Sequence, residues 1–214
     1  MVAAVGLITA TPASAQFGGL SKMLGKSGGE QALSGDEADL FLDQATKSTK
    51  NVMIAAAILA QAVTNAKDLT ARKAYVDALT NAQGIKEIDA HRAEFSSDLD
   101  TLNSNKDLAG TVTVAMQGAT AKQRAQIGLA VVNLAIGIAR NVDLAGKAPQ
   151  VVSGFSRNPM LLTRAGQFKT AASLVGLQAK GLTGVVGSMP KLIAATKVKA
   201  PADPKASEPT AIAL

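Results

Sequence analysis

The chain contains one histidine, His91, in the run Glu87-Ile-Asp-Ala-His91-Arg-Ala-Glu94-Phe-Ser-Ser-Asp98. On a helix, offsets of 4, 7 and 11 from Glu87 put His91, Glu94 and Asp98 on one arc. Carboxylates beside an imidazole can ligate a divalent metal or relay a proton. The spacing is not the Glu-x-x-His of di-iron bundles, and no second acidic motif supplies the ligands a metal centre needs. The arc therefore reads first as a polar face beside a core stripe, with Glu87, His91, Glu94 and Asp98 as the candidate metal residues if a metal is bound at all. The one Gly-x-Ser-x-Gly match, Gly25-Lys26-Ser27-Gly28-Gly29, lies in the glycine-rich leader with no strand before it to make an elbow, and no Gly-x-x-x-x-Gly-Lys-Ser/Thr loop occurs, so neither an esterase-type nucleophile nor a phosphate cradle is indicated. The expectation is a protein that is not an enzyme and carries no cofactor.

The elements that would position these residues are helices throughout. Ser34-Gly35-Asp36-Glu37 reads as a capping box opening a helix to about Ala66, with Phe41, Ala45, Val52, Ala55, Leu59 and Ala62 inward. Its middle, Val52–Ala60, is apolar on every side, which suits the centre of a bundle or a membrane. Asp68 caps a second helix carrying Leu69, Val76 and Leu79. A third runs from about Ile85 to Leu102 and holds the His91 arc. A fourth starts at Asp107, bends at Gly118 and runs to about Gly146, with Ile127, Val131, Leu134, Ile138 and Val142 as its core. Small residues (Ala121, Ala125, Gly128, Ala135, Ala139) share a neighbouring face and permit close approach. Ala148-Pro149 reads as a joint and Asn158-Pro159 as a restart. The last helix has a stripe of Leu161, Ala165, Phe168, Ala172, Val175, Ala179, Leu182, Val186 and Met189. Five glycines interrupt it, and packing must compensate for them.

The predicted fold is all-α: one bundle of about five helices over residues 34–198. A flexible glycine-rich leader (16–33) precedes it and a disordered, proline-containing tail (199–214) follows. Proline and polar content in these flanks predicts that their deletion leaves stability nearly unchanged.

Composition narrows the function classes. There is no cysteine, which excludes a lipobox, a disulfide scaffold and thiol catalysis. The aromatics are five Phe and one Tyr, too few for sugar platforms or base stacking, and no nucleic-acid partner is expected. Net charge is uneven: residues 1–110 sum to −3 and residues 111–214 to +9. That asymmetry suits an anionic envelope component or lipid as partner of the second half, although cations scattered singly along helices also serve as solvated faces. The charge-free stretches of the mature chain, Asn51–Ala66, Ala125–Ala139 and Thr170–Ala179 among them, fall short of the roughly 20 apolar residues of a spanning helix. The segments Val52–Val63, Ile127–Ile138 and Leu174–Met189 would be the ones to enter a membrane, but Trp and Tyr anchors are almost lacking.

At the N-terminus, Val2–Ala10 is apolar and Ala13-Ser14-Ala15 follows. That is an h-region with an A-x-A cleavage signature, and it predicts a signal peptide over residues 1–15. No Lys or Arg precedes the apolar run. With Phe17-Gly18-Gly19-Leu20 in the leader and Gly35-Asp36 at the start of alanine-rich helices, this layout resembles small exported alanine-rich helical proteins of Gram-negative bacteria. The resemblance implies export and an all-α fold and brings no activity or site residues. The expected role is binding or structural, in the periplasm or outside the cell. The alternative is a lipid-binding or membrane-active bundle that exposes its apolar helices.

Overall fold

A computed structural model describes residues 33–205 and 207–214. The signal peptide over 1–15 and the leader up to residue 32 lie outside the described residues. Those described form an all-helical bundle with no strand among them.

The first helix, α1 (Gly35–Asn65), opens on the expected capping box. Ser34 Oγ accepts from the Glu37 N–H at 3.2 Å, and Glu37 Oε2 accepts from the Ser34 N–H at 2.9 Å. Every residue from Val52 to Ala60 is buried, so the helix that is apolar all round is the one the others surround. A 3-10 stretch (Ala66–Arg72) follows, where Asp68 Oδ1 accepts from the Ala71 N–H at 3.2 Å and restarts the chain as expected. Then come α2 (Lys73–Asn81), α3 (Ile85–Asp89), α4 (Arg92–Ser104), α5 (Leu108–Gly118) and α6 (Ala121–Ser156). A second 3-10 stretch (Pro159–Arg164) leads into α7 (Ala165–Gly181) and α8 (Thr183–Thr196).

The helices outnumber the expected five because three expected helices divide. The third divides at Ala90–His91, where the His91 N–H bonds Ile88 O three residues back, a local tightening of the turn. The fourth breaks outright at Ala119, which is extended. Thr120 and Gln123 form a second capping box there: Thr120 Oγ1 accepts from the Gln123 N–H, and Gln123 Oε1 accepts from the Thr120 N–H at 2.8 Å. The last divides at Leu182.

Helix α6 is the main partner of α1, and the two run antiparallel. The Leu33 N–H bonds Gly154 O at 3.0 Å at one end. Farther along, Gly137 lies so close to Val52 that a Cβ there would collide with the valine side chain. Gly181 admits Leu99 of α4 in the same way, so this glycine is compensated by packing. Ala148-Pro149 is not a joint, because α6 continues through Pro149 to Ser156. The lost N–H is offset by burial of Leu144 and Val151 and by the tilted contact of Phe155 with Phe168, centroids 4.9 Å apart.

Three stripe positions face outward, Val142, Ala179 and Val186. Val142 is 66% exposed and Val186 is 47% exposed. At 100° per residue Val142 falls about 60° round from Ile127, and the buried arc of α6 is displaced the other way, toward Gln126, Asn133 and Arg140. On α8 the inward place goes to Val185 instead. Ile127, Val131, Leu134, Phe168, Val175, Leu182 and Met189 are buried as expected.

The tail is where the sequence reading departs furthest from the structure. Residues 207–214 are docked along α6 rather than disordered, with Ile212 and Leu214 buried. The leader's last residue, Leu33, is also docked, its carbonyl accepting from Asn158 Nδ2 at 2.8 Å. The helical stretches Gly35–Asn81 and Ala121–Phe155 each hold an 18-residue window apolar enough to span a bilayer by length and composition, contrary to the reading from charge-free runs. Of each window, 61% is buried inside the bundle.

Candidate ligand-binding groove

The break at Ala90–His91 disperses the four residues of the acidic arc. Glu87 turns back, and its Oε2 accepts from the Gln83 N–H at 2.8 Å. His91 Nδ1 and Glu94 Oε1 approach to 3.6 Å. Asp98 points inward, fully buried, and pairs with Arg72 from the 3-10 stretch. Among the described residues no group of three His, Cys, Asp or Glu could hold a metal ion. What forms instead is a polar cluster. The Tyr75 ring lies 5.3 Å from the His91 ring and under the Arg72 guanidinium at 5.8 Å.

Burial pushes the Asp98 carboxyl up to about 6, against the opposing pull of Arg72, and Glu94 adds to the rise. Burial pushes the Tyr75 phenol up too, with Asp98 and Glu94 adding and Arg72 opposing. The Asp98 shift gives stability a definite sign. Its folded value lies above its unfolded one, so the folded protein holds the proton more tightly. The contribution is full below about pH 4 and is lost as pH rises through about 6. Denaturant melts at pH 7 and pH 4 on the wild type and Asp98→Asn check this. The wild type should gain on the order of 2 kcal/mol on acidification relative to the variant. A relative loss would mean that the Arg72 pair, rather than desolvation, governs this carboxyl.

A larger feature lies elsewhere. Helices α5, α6 and α8 enclose a groove of about 780 Å³, within the size range of small-molecule sites. Met116, Leu129, Val132 and Val198 supply apolar walls, and Arg124 and Lys197 are the only charged lining residues among those described. Local sequence positions each of them. The Thr120–Gln123 box fixes the start of α6, and Arg124 Nη1 donates to Ala119 O at 2.6 Å beside that start. Lys197 ends α8 in the left-handed conformation, φ 54°, and turns the chain so that Val198 packs against Gly128.

Beside the groove lies a set of residues that the sequence reading missed. Gln126, Asn133 and Arg140 are buried on one face of α6 and hold the tail. Gln126 Nε2 donates to Ala213 O at 2.5 Å, and Asn133 Nδ2 donates to Thr210 O at 2.6 Å. The Thr210 N–H returns a bond to Asn133 Oδ1 at 2.9 Å. Arg140 donates to Ser207 O at 2.7 Å and to Glu208 Oε1 at 3.0 Å. The available signal was three polar side chains at seven-residue spacing on one face of α6. No family model, curated protein or solved structure matches this chain.

Proposed function

We propose that this chain is an exported, non-enzymatic helical-bundle protein of the bacterial envelope that binds an anionic single-chain amphiphile in the α5–α6–α8 groove. The observation that carries the reading is the groove itself, which joins apolar walls to Arg124 and Lys197 with no carboxylate among its described lining residues. An acyl chain gains about 0.8 kcal/mol per buried CH₂, and a carboxylate or phosphate head is drawn to the two cations. The +9 balance of residues 111–214 favours the same class of partner. Helices α1 and α6 stay in the bundle, so binding needs no insertion into a bilayer.

Titration with a fluorescent long-chain carboxylate tests this reading. Saturable binding in the micromolar range is expected. The double variant Arg124→Glu/Lys197→Glu should weaken it about tenfold or more, since each 1.4 kcal/mol is tenfold. A lysophospholipid competitor and a fatty-acid competitor then separate the two sources of the same chemistry. Absence of saturable binding, or equal binding by the charge-reversed protein, would refute the site. The A-x-A signature supports export, and N-terminal sequencing of secreted protein should begin at Gln16. Retention of Met1 in cytosolic protein would end that part of the reading.

The alternative, membrane entry, draws on the two apolar windows within Gly35–Asn81 and Ala121–Phe155. It predicts flotation with liposomes, whereas groove binding predicts lipid uptake by protein that stays in solution.

A further inference from the structure

The docked tail and α6 form two ladders that stay in phase. Gln126, Asn133 and Arg140 follow at seven-residue steps, about 10.5 Å of helix each. Their partners Ala213, Thr210 and Ser207 follow at three-residue steps, about 10 Å of extended chain each. The two run antiparallel. Recognition is mostly of main chain, with one charge pair at Arg140–Glu208 and two apolar anchors, Ile212 and Leu214. Main-chain recognition of this kind is indifferent to which molecule supplies the strand.

The tail is also mounted on a hinge. Lys197, at φ 54° and ψ 26°, is the only described residue other than glycine with positive φ. A side chain in that conformation is strained. Continuing α8 through Lys197 relieves the strain, and Pro201 limits the extension, because the residue before proline avoids the helical region. A straightened α8 carries residues 207–214 away from the α6 of its own chain.

We propose that Ser207–Leu214 is exchangeable between copies: released at the Lys197 hinge, it docks on the Gln126–Asn133–Arg140 ladder of a second copy and gives a reciprocal, closed dimer. Exchange of an identical element needs no new interface, since every contact already exists within one chain. The inference does not depend on what the groove binds.

Charge reversal tests it on the full chain. Arg140→Glu and Glu208→Arg each place like charges at the docking point and should sediment alone as monomers of 21.7 kDa. In an equimolar mixture, each tail meets an oppositely charged ladder only on the other protein, so a species of twice that mass should appear. A mixture that remains monomeric overturns the proposal. Glu208 is 55% exposed, so Glu208→Arg does not threaten folding and supplies a second arm if Arg140→Glu fails to fold. Full-length Glu208→Arg protein should bind a labelled peptide of residues 207–214 saturably. The same peptide carrying the Glu208→Arg change should bind at least about tenfold more weakly. No binding up to about 1 mM peptide overturns the proposal as well.

Discussion

Replacing Phe168 with Ala should lower the unfolding free energy by about 3–5 kcal/mol. The ring is buried at the meeting of α1, α6 and α7. It stacks on Phe41 at 6.3 Å between centroids and meets the Phe155 ring at a tilt, centroids 4.9 Å apart. Truncation removes the transfer energy of the ring, leaves a cavity and breaks two aromatic contacts. Three helices lose a shared neighbour, so the site cannot collapse by moving one of them. Denaturant melts measure the loss. Lys169 and Lys180, exposed on the same helix, serve as controls and should tolerate Ala within about 0.5 kcal/mol. A Phe168→Ala protein of unchanged stability would mean that α7 does not pack as described.

Removing residues 207–214 should cost about 3 kcal/mol and lower Tm by about 6–12 °C for a chain of this size. Burial of Ile212 and Leu214 contributes about 1.5–3 kcal/mol each. The ordering entropy of residues 207–214, about 1 kcal/mol or more for each, is larger than that gain. The side-chain bonds from Gln126, Asn133 and Arg140 tip the balance toward docking. Composition alone points to an unchanged midpoint, so thermal melts of full-length and truncated protein separate the two expectations. An unchanged Tm would show that the tail adds nothing to the stability of the fold.

The contrast between these two segments shows what the sequence makes legible. Phe168 announces itself through periodicity, because a helix repeats its inward face every 3.6 residues and apolar side chains mark it. The Ser34–Glu37 cap is legible for a related reason: both of its partners lie within one turn. The Thr120–Gln123 cap obeys the same rule, but the helical pattern on either side of Gly118 masks the break. The tail has no such marker. Its contacts are mainly to its own backbone, which side-chain composition does not report, and its prolines suggest disorder. Only the spacing of Gln126, Asn133 and Arg140 on the opposing helix carries the signal. The acidic arc fails because a single tightened turn at Ala90–His91 rotates Glu87 away from Glu94 and Asp98. The groove could not be read at all, because its walls come from residues 113–117, 124–132 and 195–198. Their proximity is a product of tertiary packing.

Methyl NMR of methionine-labelled protein during titration with a long-chain carboxylate tests the central claim most directly. Met116 lines the groove, Met53 is buried in the core of α1, and Met160 is 87% exposed far along the chain. Specific occupation of the groove predicts that the Met116 methyl shifts saturably while Met53 and Met160 hold their positions. Shifts confined to Met160, or no movement of Met116 at saturating ligand, would contradict the assignment of this groove as the binding site.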